Sequence, residues 1–553
     1  MARIRSGNPM TDVVTTGGRV SGVLAADGEM AHWFGIPYAA PPVADRRWRP
    51  PAQVEPWRGT LKAKKHGPVA WQRSAQMESF ITELAHGLGL GPARRRALLT
   101  ALKVVPVKQD EDCLTVNVRA PAGASGLPVM VWIHGGDHTD GSGGELVYQS
   151  DALPERGCVL VTFNYRLGLM GFFAHPELSA ESADGVSGNY GLLDQIAALE
   201  WVRDNIAGFG GDPNRVTIFG ESAGGEAVLN LMTSPRARGL FHRAIAQSPS
   251  DSGRWLRLNE PVLDFLPASE AGSRFAAAAV GDDTGQLARL RELPADALYD
   301  LYRERGDLGR HFYPAVDGVV LPSTPMTAFA RNQQATVPLV IGYNADEASL
   351  FYRFMNPAGG EFAAPRSPLP GATRPDISPD EVRATFERSY PSPSHVDRLM
   401  SIYPGLSSLD RGAVERHGGD HMFGVHVDHA SRMHAQAGLP VWRYHFRSVP
   451  PSKKQTAGAF HAAEIVHVFG SSLPLVPAAP DAHLLTRAMG DHWFAFAATG
   501  DPSFPGREEW PTYDPADPKH LVFDRPVSSV QPCPAQPGLD LMRERIDWLS
   551  KED

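Results

Sequence analysis

Apolar runs alternate with stretches of helical spacing along the first two-thirds of the chain. Residues 127–134 form an almost unbroken apolar run ending at a glycine pair, and residues 158–165 form another. Both read as strands buried on two faces. Between Gly191 and Phe209 the apolar positions Leu192, Leu193, Ile196, Leu199, Trp201, Val202 and Ile206 recur at helical spacing. Residues 215–219 make a third β-rich run, and further strands are predicted over 241–246, 337–342 and 441–446. Strands separated by helix-length connections imply crossovers, hence an α/β fold with a mostly parallel sheet. The Pro- and Gly-rich stretches 357–375 and 471–480 read as loops.

Residues 72–112 differ in texture. They hold two amphipathic helical patterns, around 77–90 and 93–105, joined by glycines. This pattern fits a lid over a site and helices packed on the surface equally well. No repeat and no long linker interrupts the chain, and large open-sheet α/β enzymes often exceed the usual domain length. Residues 1–553 therefore read as a single domain.

Composition narrows the function. The 553 residues are 42% hydrophobic and 21% charged, ordinary values for a globular protein with a large core. Net charge is −9 and the basic residues are spread, which argues against nucleic acid as a partner. The short basic runs Arg94-Arg95-Arg96 and Lys62 to Lys65 read as solvated faces. No apolar stretch follows the basic N-terminal residues, so no secretory signal is expected there, and no run reaches membrane-spanning length. Cys113, Cys158 and Cys533 are too few and too far apart for a disulfide framework or a zinc site, which points to a reduced, cytoplasmic setting.

The chemistry concentrates at Gly220-Glu221-Ser222-Ala223-Gly224, which matches the G-x-S-x-G nucleophile elbow. A β-rich run leads in and a helical run leads out, the context that this turn requires. A serine on a strained turn crowds its neighbours, so positions two before and two after must lack bulky side chains. Serine alone is a poor nucleophile and needs a base held by a carboxylate, in the chain order Ser, acid, His. Asp346-Glu347, just beyond the run 337–342, meets the requirement for the acid. Twelve histidines follow that acid pair, and order alone does not choose among them.

At this point the chain resembles the type-B carboxylesterases, the family of cholinesterases and bacterial nitrobenzyl esterases. The resemblance rests on segments 34–43, 111–114, 188–195, 209–213 with the elbow, and 498–502. It implies an α/β-hydrolase fold, a large mostly parallel twisted sheet flanked by helices with helical lid insertions. It further implies a serine carboxylesterase, needing no metal or organic cofactor, that acts on small-molecule esters as a monomer or weak homo-oligomer. By resemblance the acid is Glu347, with Asp346 its neighbour, and the base is His461, followed by Ala462 where the family usually has glycine. Glu221 and Glu464 match buried family carboxylates that order water and help stabilise the imidazolium; the alternative is a pair of solvated surface acids.

The same resemblance assigns the oxyanion hole to the N–H groups of Gly136, Asp137 and Ala223, with Gly135 permitting close approach. Here the chain departs from its family. Asp137 stands where glycine or alanine is usual, and His138 where an aromatic is common. A carboxylate aimed at a developing oxyanion would repel it. Either Asp137 turns away and pairs with a neighbour such as His138, or it holds a water that assists deacylation or hydrolysis of stalled adducts. Secreted relatives bond the cysteine matching Cys113 to one upstream, which is missing here, so Cys113 is expected to be a free buried thiol. His417, His421, His426, His429 and His434 drift off one helix face and read as packing rather than as metal ligands. Rival readings are hydrolysis of carbamates, amides or phthalate-type diesters, and a non-catalytic adhesion or binding domain.

Overall fold

The apolar runs converge on one large sheet. The computed structural model describes residues 11–72, 75–103, 108–250, 256–262, 265–351, 378–473, 476, 478–525 and 528–549. A small sheet pairs β1 (Asp12–Thr15) with β2 (Gly18–Ser21) and β2 with β5 (Thr60–Lys62). The large sheet takes β3 (Val23–Leu24), β4 (Met30–Pro37), β6 (Thr115–Pro121), β7 (Leu127–Ile133) and β8 (Val159–Phe163). It continues with β9 (Gly211–Glu221), β10 (Arg243–Gln247), β11 (Leu339–Asn344), β12 (Val441–Phe446), β13 (Lys519–Phe523) and β14 (Ser529–Pro532).

Its 11 strands run in the order β14-β13-β12-β11-β10-β9-β7-β8-β6-β4-β3. From β8 across to β13 every neighbour is parallel. The edges are antiparallel, β14 on one side and β6, β4 and β3 on the other. The predicted strands fall on the parallel centre, because only strands covered on both faces read as continuous apolar runs. The antiparallel strand β6 hides its pattern behind Asn117 and Arg119. Asn117 spends its side chain on Gly35 N–H, at 3.0 Å, and on Thr162 Oγ1, at 3.1 Å.

Along β7 alternate residues feed two cores. Val129, Val131 and Ile133 join one cluster with Val161, Leu199, Ile218 and Ala227. Met130 and Trp132 join the other with Leu160, Phe219, Trp493 and Phe496. The predicted helix forms over Tyr190–Asn205 and tightens into a 3-10 turn over Ile206–Phe209. The segment 72–112 contributes helices Ala75–Gly87 and Pro92–Lys103, with Leu84, Leu88 and Leu98 buried in the second core. The predicted loop 357–375 lies outside the described residues; the described part of 471–480 has neither helix nor strand. No helix among the described residues is long and apolar enough to cross a membrane.

One buried ion pair ties a strand end to a helix. Arg166, three residues past β8, reaches Asp194 of helix Tyr190–Asn205 through Nε and Nη2, both at 2.7 Å, and its backbone N–H donates to the same carboxylate at 3.1 Å. Neither side chain is exposed beyond 3%. Breaking a buried pair strands a charge in low dielectric. Asp194→Ala should therefore destabilise the fold by about 3–5 kcal/mol, read from the denaturant midpoint of unfolding.

Candidate active site

The elbow sits where β9 meets the helix Ala223–Thr233. Ser222 has φ 59° and ψ −125°, a conformation that costs a non-glycine residue about 1–3 kcal/mol. Packing on both sides enforces it. A Cβ on Gly224 would stand 2.1 Å from the Ile133 carbonyl oxygen, and one on Gly220 would stand 2.5 Å from that of Gly224. The Ser222 N–H is fixed by the Gln247 carbonyl at 3.0 Å. As the first helical residue, Ala223 offers an N–H with no acceptor inside its own helix.

Glu347 opens a 3-10 turn just past the end of β11 and is 1% exposed. Its Oε2 accepts from His461 Nδ1 at 2.6 Å, and its Oε1 accepts from Asn344 N–H and Ser248 Oγ, each at 2.6 Å. Asp346 holds the histidine loop instead. Its Oδ2 accepts from Ala459 N–H at 2.8 Å, and its backbone bridges to Phe460. Ala462 takes φ 70°, the left-handed region that explains the glycine expected there.

The other face of the imidazole meets Glu221, with Nε2 3.2 Å from Oε1. Among the described residues no hydrogen bond joins His461 to the Ser222 hydroxyl. The ring turns its second nitrogen to the carboxylate one position before the serine, a looseness usual in unliganded sites. Glu221 and Glu464 are both buried, so the reading of them as solvated acids is set aside. Glu464 accepts from Gln247 Nε2 at 3.0 Å and from Asn344 Nδ2 at 2.7 Å. The Trp493 indole N–H donates to Gln247 Oε1 at 3.0 Å, and because indole can only donate, this fixes which way the Gln247 amide points.

Aromatic rings enclose His461. The centroid of Phe423 lies 4.7 Å from the imidazole, that of Phe351 5.2 Å, and that of Phe80 6.4 Å and edge-on. Phe423 is delivered by a π-helical turn, Asp420–Gly424, and Phe80 by the helix Ala75–Gly87.

The glycine loop after β7 comes close to the elbow. A Cβ on Gly135 would lie 2.6 Å from the Glu221 carbonyl oxygen and 3.3 Å from Ser222 Cβ, so glycine is needed for the approach. Gly136 has φ 106°, and Asp137 and His138 follow at 55° and 54°. The expected Asp137–His138 pairing is not the one found. Tyr313 Oη donates to Asp137 Oδ2 at 2.9 Å, while His138 Nε2 faces Glu226 Oε1 at 3.4 Å, on the first turn of the helix after Ser222. Two successive left-handed residues send their side chains to different elements, which forbids the local pair.

The model of the carboxylesterase family matches residues 9–540. The chain belongs to the carboxylesterase family. A fumonisin B1 esterase of Sphingopyxis macrogoltabida is 36% identical over 90% of the chain and 84% of its own length. A para-nitrobenzyl esterase of Bacillus subtilis (strain 168) is 33% identical over 93% of the chain and 95% of its length. A solved structure of a PNB esterase superposes with TM-score 0.75 at 30% identity, covering 96% of the chain and all of its own. The architecture is the α/β-hydrolase fold, and the enzyme hydrolyses carboxylic esters.

In this carboxylesterase, Gln247, Ser248, Asn344, Phe423 and Tyr313 hold the site together without having been singled out from sequence. The first three stand at the carboxyl ends of β10 and β11, where ligands gather in open parallel sheets, so strand ends carried the missing signal. Four of the five histidines of the 417–434 stretch make packing or backbone contacts. His429 and His434 donate from Nε2 to the Met326 and Val337 carbonyls, and His417 stacks on His421. Cys113, Cys158 and Cys533 are free and buried.

Burial opposes a charged imidazole at His461, but the carboxylates of Glu221 and Glu347 outweigh it and raise its pKa above the ordinary histidine value. Burial likewise lifts Glu221 well above the carboxylate range, with His461 pulling the other way. Both shifts mean that the His461–Glu221 pair retains a proton. The His461 resonance should titrate above pH ~6.5 in NMR of the resting enzyme. In Glu221→Gln, where an anion that favours the charged ring is gone, its midpoint should fall.

Proposed function

We propose that this carboxylesterase works by two-step acyl transfer with Ser222 as nucleophile, His461 as base and Glu347 as the acid that orients it. The observation carrying this reading is the 2.6 Å contact of His461 Nδ1 with a buried Glu347, beside a serine held on a strained strand-to-helix turn. Nε2 leaves the shared proton on Glu221, turns to the Ser222 hydroxyl, takes its proton as Oγ attacks the ester carbonyl, and delivers that proton to the departing alcohol. Water activated by the same nitrogen then releases the acid. Glu347 stabilises the imidazolium, Glu221 keeps the proton that it shared with the ring, and Glu464, held by Gln247 and Asn344, stands behind them. The N–H groups of Gly136, Asp137 and Ala223 receive the oxyanion, with Gly135 as the spacer, and His138 braces that loop against Glu226.

The reading extends to the segment 72–112 as a lid within one domain of 1–553, because its Phe80 closes the aromatic ring around His461. Buried free thiols at all three cysteines support a cytoplasmic enzyme. We assign it the state of a monomer or weak homo-oligomer acting on small esters.

A fluorophosphonate should label Ser222 and abolish hydrolysis of p-nitrophenyl esters. Ser222→Ala should lose activity about a thousandfold or more and lose the label; labelling that survives the substitution overturns the reading. Phe80→Ala should raise kcat/KM for p-nitrophenyl octanoate relative to the acetate, by removing a ring beside the base; an unchanged ratio tells against the lid.

A further inference from the structure

Asp137 poses an electrostatic problem that its neighbours solve. Its backbone occupies a left-handed conformation at φ 55°, where a glycine would fit without strain. Its carboxylate hangs from the same residue whose N–H is assigned to the oxyanion. In a poorly screened cleft a negative charge turned toward that oxyanion would oppose the tetrahedral intermediate. The side chain must therefore be held in one direction, and the loop's own hydrogen bonds, such as Asp140 N–H to the Gly136 carbonyl at 2.9 Å, fix its backbone rather than that carboxylate.

Tyr313 supplies such a hold. Its hydroxyl donates to Asp137 Oδ2 at 2.9 Å, and its ring is 5% exposed, packed in a small apolar cluster with Leu256, Leu258 and Phe265. The chain carrying it is pinned two residues later. Asn189 grips Ala315 on both sides, Oδ1 accepting from its N–H at 3.0 Å and Nδ2 donating to its carbonyl at 2.7 Å. Asn189 also donates to Asp317 Oδ2 at 2.9 Å. Asp317 in turn accepts the N–H groups of Val319, Val320 and Leu321 through Oδ1. The tyrosine hydroxyl is thus an anchored donor, set by Asn189, which stands just before the helix Tyr190–Asn205.

We propose that Tyr313 is a positioning residue of the oxyanion loop, drawing the Asp137 carboxylate toward its own buried cluster so that the Asp137 backbone N–H faces the reacting carbonyl. This deepens the acyl-transfer reading above and rests on it. A hydrogen bond to a charged acceptor is stronger than a neutral one, and its loss weakens the hold on the direction of the carboxylate. The effect falls on the transition state, where the oxyanion forms, and leaves substrate binding nearly untouched.

The test is a double-mutant cycle of Tyr313→Phe and Asp137→Gly on p-nitrophenyl butyrate, with fluorophosphonate labelling of Ser222 followed in each variant. Tyr313→Phe alone should lower kcat about tenfold and move KM less than about twofold. In the Asp137→Gly background, where no carboxylate remains to hold, the same change should alter kcat less than about twofold. An equal loss in both backgrounds overturns the proposal, since Tyr313 would then act on packing alone. A rise in KM with kcat unchanged also overturns it, making Tyr313 a wall of the substrate pocket. If Ser222 labels in every variant while the cycle is additive, only the Tyr313 assignment fails; if Ser222 never labels, the acyl-transfer reading fails first.

Discussion

A carboxylate removed from water stays useful only if other groups replace the water, and that requirement organises the centre of this enzyme. Glu347 meets it with three donors, the His461 ring, the Asn344 N–H and the Ser248 hydroxyl, each at 2.6 Å. Two of them come from the ends of adjacent parallel strands, so the ion is solvated by the sheet itself. Glu464 is treated in the same way by Gln247 and by the Asn344 side chain. Asn344 therefore serves both carboxylates, one with its backbone and one with its amide. Without parallel strands ending in register, these donors would not converge.

The second organising constraint is steric. Ser222, Asp137, Ser248 and Ala462 all hold positive φ without being glycine, and each lies in or beside a turn that carries a candidate site residue. Each conformation is disfavoured for an L-residue, and each persists because its neighbours leave no alternative. At Ser222 the enforcers are Gly220 and Gly224, whose missing side chains let β9 and its helix press against the β7 carbonyl. At Asp137, where the resemblance implies glycine or alanine, and at Ala462, where it implies glycine, the enzyme keeps a side chain, so the strain is borne by the loop.

Legibility from sequence followed the physics of burial. Strands β7 to β12 were readable because both faces are covered, which leaves continuous apolar runs. Strands β4, β6, β13 and β14 were not, since edge and antiparallel strands mix polar residues that satisfy local partners, as Asn117 does. Of the site, the serine turn carried its own signature in glycine spacing, whereas Glu347 and His461 needed family resemblance, because nothing local distinguishes one acid or one histidine from its neighbours. Tyr313 was invisible for the same reason. Its importance lies in a partner 176 positions away, and the expected local pairing of Asp137 with His138 failed because consecutive left-handed residues point apart.

The order of strands in the sheet also sets a timetable. Glu347 and His461 lie 114 positions apart, and Gln247 and Glu464 lie 217 apart. Contacts of such range close slowly, after local helices and hairpins have formed. The serine turn is complete once β7, β9, β10 and the following helix have packed, but in the proposed mechanism its activating groups arrive only when β11, β12 and the chain beyond them are docked. A growing or half-refolded chain thus carries an inert hydroxyl. Reactivity appears as a property of the finished fold, and enzymatic activity becomes a stricter gauge of complete folding than helix content or compactness.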